Sequence, residues 1–196
     1  GLNMAAKNAS DGLSMLATIE NATNDVTDML HRMRELAVQA ANDTNSSTDR
    51  GYLQTEVTAL IAEIDRVSSD TKYNGTAVLD GTFTSKKLQV GTEAAQSITF
   101  SVSDVDATAL AVNAADISTQ AGAATALTSI SAAIETVAGQ RATYGALQNR
   151  LEYTVSNLMN VSEFTQAARS RIEDADFAAE SARLSKAQVL QQTGTA

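Results

Sequence analysis

Several residue types that stabilise other classes of protein are missing from this chain of 196 residues. It contains no cysteine, no proline and no tryptophan, and its only aromatic residues are four tyrosines and four phenylalanines. Without cysteine, the fold can form no disulfide and no thiolate metal site. With so few aromatic side chains, the interior must be filled by small and aliphatic residues. This composition suits long, closely packed helices better than a deep aromatic core.

Basic residues are also scarce, since 14 lysines and arginines face 23 acidic residues and give a net charge of −9. A nucleic-acid partner is therefore excluded, because such binding needs a basic surface that releases counterions. No contiguous apolar run approaches the roughly 20 residues of a membrane span, so no membrane insertion is predicted. No secretory signal is recognisable. The chain opens with Gly1-Leu2 inside a helical pattern and without a cap, which predicts a fragment trimmed from a longer protein.

The first forty residues carry the clearest pattern in the chain. Apolar and small residues recur at spacings that alternate between three and four, as in a heptad seam, and only Gly12 and Thr23 interrupt them. A helix over about 2–41 would be roughly 60 Å long, which indicates an elongated rod. The seam consists of Leu2, Ala5, Ala9, Gly12, Leu16, Ile19, Thr23, Val26, Leu30, Met33, Ala37 and Ala40.

A second helix is predicted over about 48–71, antiparallel to the first. The polar cluster 42–47 separates the two helices, and Ser46 with Asp49 forms a variant of the capping box that starts the second. This helix ends before Asn74-Gly75, a dipeptide that favours positive φ. Its seam consists of Leu53, Val57, Leu60, Ile64 and Val67.

The hydrophobic period changes from helical to alternating over about 86–103. Apolar residues there, among them Leu88, Ile98 and Phe100, alternate with polar ones, which predicts a β-hairpin with one apolar face. A lone hairpin is marginally stable in water, so it is expected to dock on the helices. Residues 107–122 are small and weakly patterned, and we interpret them as a connection.

A long C-side helix is predicted over about 123–168. The charged run 169–176 is expected to end or bend it, and a last helical segment follows over 176–196. The predicted fold class is mainly α: an elongated antiparallel helical rod over 1–175, with two N-side helices, one long C-side helix and a small docked β-hairpin. The C-side seam consists of Leu127, Ile130, Ile134, Val137, Tyr144, Leu151, Val155 and Leu158.

No group of residues in the sequence predicts catalysis, a cofactor or a metal site. His31 is the only histidine, whereas zinc sites use several His or Cys ligands. Asp104 and Asp106 alternate as in a calcium loop, but the glycine and the terminal glutamate of that motif are missing. No nucleophile, base and orienting group can be assembled around the charged run 169–176. The sequence therefore predicts a protein that is not an enzyme.

Several stretches resemble bacterial flagellin, and they occur in the order of that family across nearly the whole chain. Each match is weak alone, but the ordered series is highly specific. The stretches are Asn8-Ala9-Ser10-Asp11-Gly12, Arg34-Glu35-Leu36-Ala37-Val38-Gln39-Ala40, Glu63-Ile64-Asp65-Arg66-Val67-Ser68, Lys72-Tyr73-Asn74-Gly75, Leu88-Gln89-Val90-Gly91, Gly145-Ala146-Leu147-Gln148-Asn149-Arg150, Ser170-Arg171-Ile172-Glu173-Asp174-Ala175-Asp176-Phe177 and Lys186-Ala187-Gln188-Val189-Leu190-Gln191-Gln192.

The resemblance implies the core rod of a self-assembling filament subunit that serves motility and is secreted to the extracellular flagellum. In flagellins the two terminal segments pair as an inner coiled coil. Residues 176–196 would begin the C-terminal segment, while its N-terminal partner is absent. The expected partners are other flagellin subunits in the full-length protein, and the trimmed chain is expected to be a monomer. The alternatives are a hook–filament junction protein and a cell-surface, glycan-binding flagellin homologue.

The resemblance also implies a receptor-binding patch that is sensed by host innate immunity. In flagellins sensed by Toll-like receptor 5, the positions that match Arg32, Leu36 and Glu56 are central contacts. Arg32 and Leu36 are four residues apart on one flank of the first seam, so they should be neighbours, with Leu36 partly exposed. The alternative is that Leu36 belongs to the margin of the core and Arg32 pairs with a nearby carboxylate. His31 and Met33 depart from the family pattern.

Overall fold

The computed structural model describes residues 1–194, apart from the side chains of Ala179 and Thr193. Within this range the predicted mainly α rod with a docked hairpin is confirmed. The N-side and C-side helices are antiparallel, because Asn3 contacts Ser162 and Glu20 contacts Gln148. In chain order the elements are α1 (Leu2–Ala40), α2 (Ser47–Asp70), β1 (Lys72–Tyr73), β2 (Thr76–Ala77), β3 (Lys86–Gln89), β4 (Ser97–Phe100) and α3 (Gln120–Gly194).

Helix α1 forms the centre of the rod. Every position of its predicted seam is buried except Leu2, and the aliphatic residues Leu16, Ile19, Val26 and Leu30 are fully enclosed. A second buried stripe lies beside the seam at Met15, Ala22 and Leu36, which are separated by whole heptads. Two stripes are buried because α1 packs on both α2 and α3, so its apolar face is wider than that of a two-stranded coiled coil.

The start of α2 is fixed by the predicted capping box. The Ser46 hydroxyl accepts a hydrogen bond from the Asp49 backbone N–H at 3.2 Å, and the Asp49 carboxylate accepts one from the Ser46 N–H at 3.0 Å. Hydrogen bonds from the Ser46 hydroxyl and N–H lower the pKa of Asp49. The cap satisfies backbone donors that the first turn of a helix leaves free.

A short hairpin follows α2, in addition to the one predicted from the alternating pattern. Strands β1 and β2 pair Tyr73 with Thr76, and the two residues between them have φ of 49° at Asn74 and 79° at Gly75. Positive φ at both central residues is the conformation of a type I′ turn, which matches the right-handed twist of short strands. The Tyr73 hydroxyl donates a hydrogen bond to the Asp11 carbonyl at 3.2 Å and so ties this hairpin to α1.

The predicted docked hairpin consists of β3 and β4, with Leu88 opposite Ile98. It approaches α1 at Gly12, where an added Cβ would lie 2.6 Å from the Leu88 Cδ1 and 3.4 Å from the Leu151 Cδ1. The Asn8 side chain also donates a hydrogen bond to the Gln89 carbonyl at 3.1 Å. Gly12 is therefore a point at which α1, the hairpin and α3 come very close together.

The segment between β4 and α3, which includes most of the predicted connection 107–122, is a packed part of the core. Three side chains from helices accept hydrogen bonds from its backbone. Gln54 accepts one from the Ile117 N–H at 2.6 Å, Asp65 one from the Ala107 N–H at 2.8 Å, and Tyr144 one from the Ser103 N–H at 3.1 Å. Burial raises the pKa of the Tyr144 hydroxyl. The buried residues of this segment are Val102, Val105, Ala107, Leu110, Val112, Ala115 and Ile117.

Helix α3 continues without interruption through the charged run 169–176, so the helix end predicted there is not observed. Arg169 pairs with Glu173 at 2.7 Å, one helical turn further along. Such pairs support an exposed helix, and no proline is present to break it. The helix also starts slightly earlier than expected, because the Thr119 hydroxyl accepts a hydrogen bond from the Gly122 N–H at 3.1 Å and acts as a cap.

By length and composition alone, Gln120–Gln192 satisfies the criteria for a membrane span, although the sequence has no contiguous apolar run of that length. Its first half is packed against the rod, with Ala123, Ile130 and Val137 fully buried. A helix in a protein core can have the same length and apolar composition as a membrane span. The apolar residues at these positions of α3 are accounted for by contacts inside the rod.

Candidate interaction surfaces

The Arg32 side chain links α1 to α2 on the surface of the rod. Its Nε donates a hydrogen bond to the Glu56 Oε1 at 2.7 Å, and its Nη1 donates one to the Glu35 Oε2 at 3.1 Å. About half of the side chain remains accessible, at 50%. The hydrogen bond to Glu56, followed by that to Glu35, raises the pKa of Arg32. The two carboxylates hold the guanidinium in one orientation and leave some of its five N–H donors for another partner.

The expectation that Leu36 is partly exposed is wrong, because its exposed fraction is only 1%. Leu36 belongs to the second buried stripe of α1, which a single predicted seam leaves out. The structure thus brings Arg32 and Glu56 together at the surface and places Leu36 in the core. On these two points it matches the alternative, in which Leu36 is core and Arg32 pairs with a carboxylate.

An exposed apolar residue on the same helix is Val38, with an exposed fraction of 57%. Together with His31, Arg34 and Glu35 it lines a shallow groove of about 450 Å³ along one face of α1. These four residues occur at the spacing of one helical face, which the sequence could have revealed. The surface around Arg32 therefore combines an oriented guanidinium with one small exposed apolar side chain, that of Val38.

The second half of α3 extends beyond the packed part of the rod. Among the described residues, Leu158 is the last buried position of this helix, and large apolar residues after it are exposed. Phe164 and Phe177 have exposed fractions of 75% and 77%, and Ile172 and Leu184 are also exposed. We call residues 163–188 the overhang. Extended apolar surfaces of this kind mark sites of interaction with another chain or segment.

Neither surface resembles a catalytic or metal centre. Within residues 1–194, no three His, Asp or Glu side chains are grouped closely enough to hold a metal ion. A larger groove, of about 980 Å³, lies between the β3–β4 turn and α3. Its lining includes Gln96, Asn149, Arg150 and Tyr153. It contains no acid–base pair of side chains that could catalyse a reaction.

Comparison with known proteins points to one family. A family model described as the bacterial flagellin N-terminal helical region matches residues 1–84, and one described as the bacterial flagellin C-terminal helical region matches residues 127–196. A flagellin of Halalkalibacterium halodurans is 39% identical over 198 residues, which span all of this chain and 73% of that protein. A flagellar filament 33 kDa core protein of Treponema phagedenis is 38% identical over 212 residues, spanning all of this chain and 74% of that protein.

Solved structures agree with this relationship. The crystal structure of Bacillus cereus flagellin superposes with a TM-score of 0.70 at 32% identity and covers 78% of this chain and 88% of that one. A putative flagellar hook-associated protein of Vibrio parahaemolyticus has a TM-score of 0.72 but only 15% identity, so it shows a shared fold alone. From the two matching helical regions and the relatives aligned over the whole chain, we conclude that this chain belongs to the bacterial flagellins, the structural subunits of the flagellar filament.

Proposed function

We propose that the overhang of α3 is the surface through which this flagellin joins a filament, with residues 176–196 as the start of the inner coiled coil. The observation that supports this is the exposure of Phe164, Ile172, Phe177 and Leu184 on a helix whose first half is well packed. Exposed apolar side chains on a helix gain stability when neighbouring helices cover them. In the filament, the overhang would be covered by the terminal segments that form the inner coiled coil of flagellins and by other flagellin subunits.

The flagellin family is a structural family, and as a filament component the protein is exposed outside the cell. We infer that it is secreted to reach that position. A role as a hook–filament junction protein is not favoured, because the two flagellin family models and relatives at 38–39% identity over the whole chain support a filament subunit. No residue in the described part of the rod specifically supports a glycan-binding role.

The chain of 196 residues is expected to remain a monomer in solution. Within residues 1–194 no second helix pairs with the overhang, so the coiled coil proposed to join subunits is incomplete in this chain, and a net charge of −9 makes the copies repel each other. Sedimentation velocity at high protein concentration should show a single elongated species. A parallel run at high salt, which screens the repulsion, serves as the control. Ordered fibres in either condition would show that the rod assembles without further segments.

We further propose that the rod binds the ectodomain of Toll-like receptor 5 through Arg32 and Glu56, with Leu36 in the core supporting the surface. The support is the geometry of Arg32, which Glu56 and Glu35 hold at 2.7 Å and 3.1 Å. A side chain that is already oriented loses less conformational entropy on binding. Arginine is also among the residues that most often dominate protein interfaces.

Replacing Arg32 with alanine should weaken receptor binding roughly tenfold to a hundredfold, the usual scale of a hot-spot truncation. Titration with the purified ectodomain measures this. Arg66→Ala is a matched control, because Arg66 is an exposed arginine on α2 that likewise pairs with two carboxylates, those of Glu63 and Asp70. Leu36→Ala should lower both the melting temperature and the affinity. No binding by the unchanged rod at micromolar concentration, or equal effects of both arginine variants, would contradict the proposal.

A further inference from the structure

The turn between β1 and β2 places an exposed asparagine directly before an exposed glycine. Asn74 and Gly75 are both exposed. They lie between the paired residues Tyr73 and Thr76 and outside the ladder itself. Gly75 has no side chain that could hinder its own nitrogen, and a Cβ added there would have no atom within 4 Å other than those of Gly75 and its two chain neighbours. The surroundings of the dipeptide are therefore open.

An asparagine followed by glycine can lose its amide without any enzyme. The Gly75 nitrogen, after giving up its proton, attacks the Asn74 Cγ. A bond forms between these two atoms, the bond from Cγ to Nδ2 breaks, and ammonia leaves. Water then opens the resulting five-membered imide. Cleavage at Cγ gives aspartate, and cleavage at the main-chain carbonyl carbon gives isoaspartate, whose backbone runs through Cβ and Cγ.

A second asparagine provides a comparison within the same chain. Asn45 is followed by Ser46, also a small residue, in the turn before α2. There, however, the Asn45 amide donates hydrogen bonds to the carbonyls of Gln39 and Asn42, and the Ser46 N–H donates one to the Asp49 carboxylate at 3.0 Å. Both reacting groups of this pair are therefore held by other partners.

We propose that Asn74 is a site of spontaneous deamidation in the folded protein, selected by the β1–β2 turn, and that isoaspartate at this position loosens the turn. The attack requires Asn74 to leave its left-handed conformation, but strands of two residues open easily. Isoaspartate adds one carbon to the main chain of a two-residue turn. The pair Tyr73–Thr76 then no longer closes in register, and the Tyr73 hydroxyl is displaced from the Asp11 carbonyl.

Incubation of the folded protein and of the urea-unfolded protein at mildly alkaline pH, followed by trypsin digestion and mass spectrometry, tests the proposal. Asn74 lies in the peptide 73–86 and Asn45 in the peptide 35–50. Folding should raise the ratio of the two deamidation rates, Asn74 over Asn45, by roughly tenfold, the factor that one or two ordinary hydrogen bonds at Asn45 provide. A ratio that folding leaves unchanged or lowers would overturn the proposal.

The structural consequence is tested separately with Asn74→Asp, which adds the same charge but keeps the normal backbone. Aspartate tolerates the left-handed conformation, so this variant should retain the hydrogen-exchange protection of β1 and β2. Aged protein enriched in isoaspartate, detected by isoaspartyl methyltransferase labelling, should lose that protection. Equal protection in the aged protein and the variant would show that isoaspartate does not loosen the turn.

Discussion

Replacing Leu30 with alanine is expected to lower the free energy of unfolding by about 2–5 kcal/mol. Leu30 is fully buried on the central helix, in the same core as Val57 of α2 and Val137 of α3. Truncation removes apolar contacts and leaves a cavity that helices packed on both sides cannot easily fill. Urea denaturation followed by circular dichroism measures the change.

Val38→Ala is the matched control for this substitution. It lies on the same helix and also truncates an aliphatic side chain, but Val38 is mostly exposed. Its effect should stay within roughly 0.5 kcal/mol, as for most surface substitutions. If the two variants unfolded at the same urea concentration, the two-sided packing of α1 would be contradicted.

Replacing Gly12 with valine should destabilise the rod by about 1–3 kcal/mol, because the added side chain overpacks a filled space. A Cβ at this position would already lie 2.6 Å from the Leu88 Cδ1, and valine adds two further methyl groups. The hairpin should shift away from α1. Hydrogen exchange of β3 and β4 would report this shift as faster exchange than in the unchanged protein.

Gly139→Val makes the same chemical change in α3 at a position where no atom beyond the local turns of the helix backbone and the adjacent residues lies within 4 Å of an added Cβ. Glycine is a poorer helix former than valine, so this variant should be as stable as the parent or slightly more so. Equal destabilisation by both variants would mean that the cost at Gly12 comes from the helix backbone rather than from the contact with Leu88.

The helical part of the fold could be predicted because its signals are local and periodic. The seam of α1 fixes which face is buried, and the pair Ser46 and Asp49 marks the start of α2 within one residue. The segment after β4 could not be predicted in the same way. Its buried residues have no regular spacing, because helices α2 and α3 supply its hydrogen-bond partners from far away in the sequence.

The candidate surface was predicted only in part, for a related reason. Opposite charges at Arg32 and Glu56 allow a pair, but only the packing of α1 against α2 brings them together. The burial of Leu36 follows from packing on two sides, whereas a single seam predicts exposure. The end expected for α3 near residue 168 was based on charge density, which changes the solvation of a helix face without breaking its backbone hydrogen bonds.

The continuity of α3 has a mechanical consequence. One helix of 75 residues, roughly 110 Å long at ~1.5 Å per residue, belongs to both the rod and the overhang, with no hinge loop between them. Torque or tension applied to the overhang is therefore transmitted along unbroken backbone hydrogen bonds into the part that packs on α1. The orientation of the overhang is therefore set by the packed part of the rod. If subunits dock through the overhang, as we propose, the packing of α1 on α3 sets the angle at which they dock.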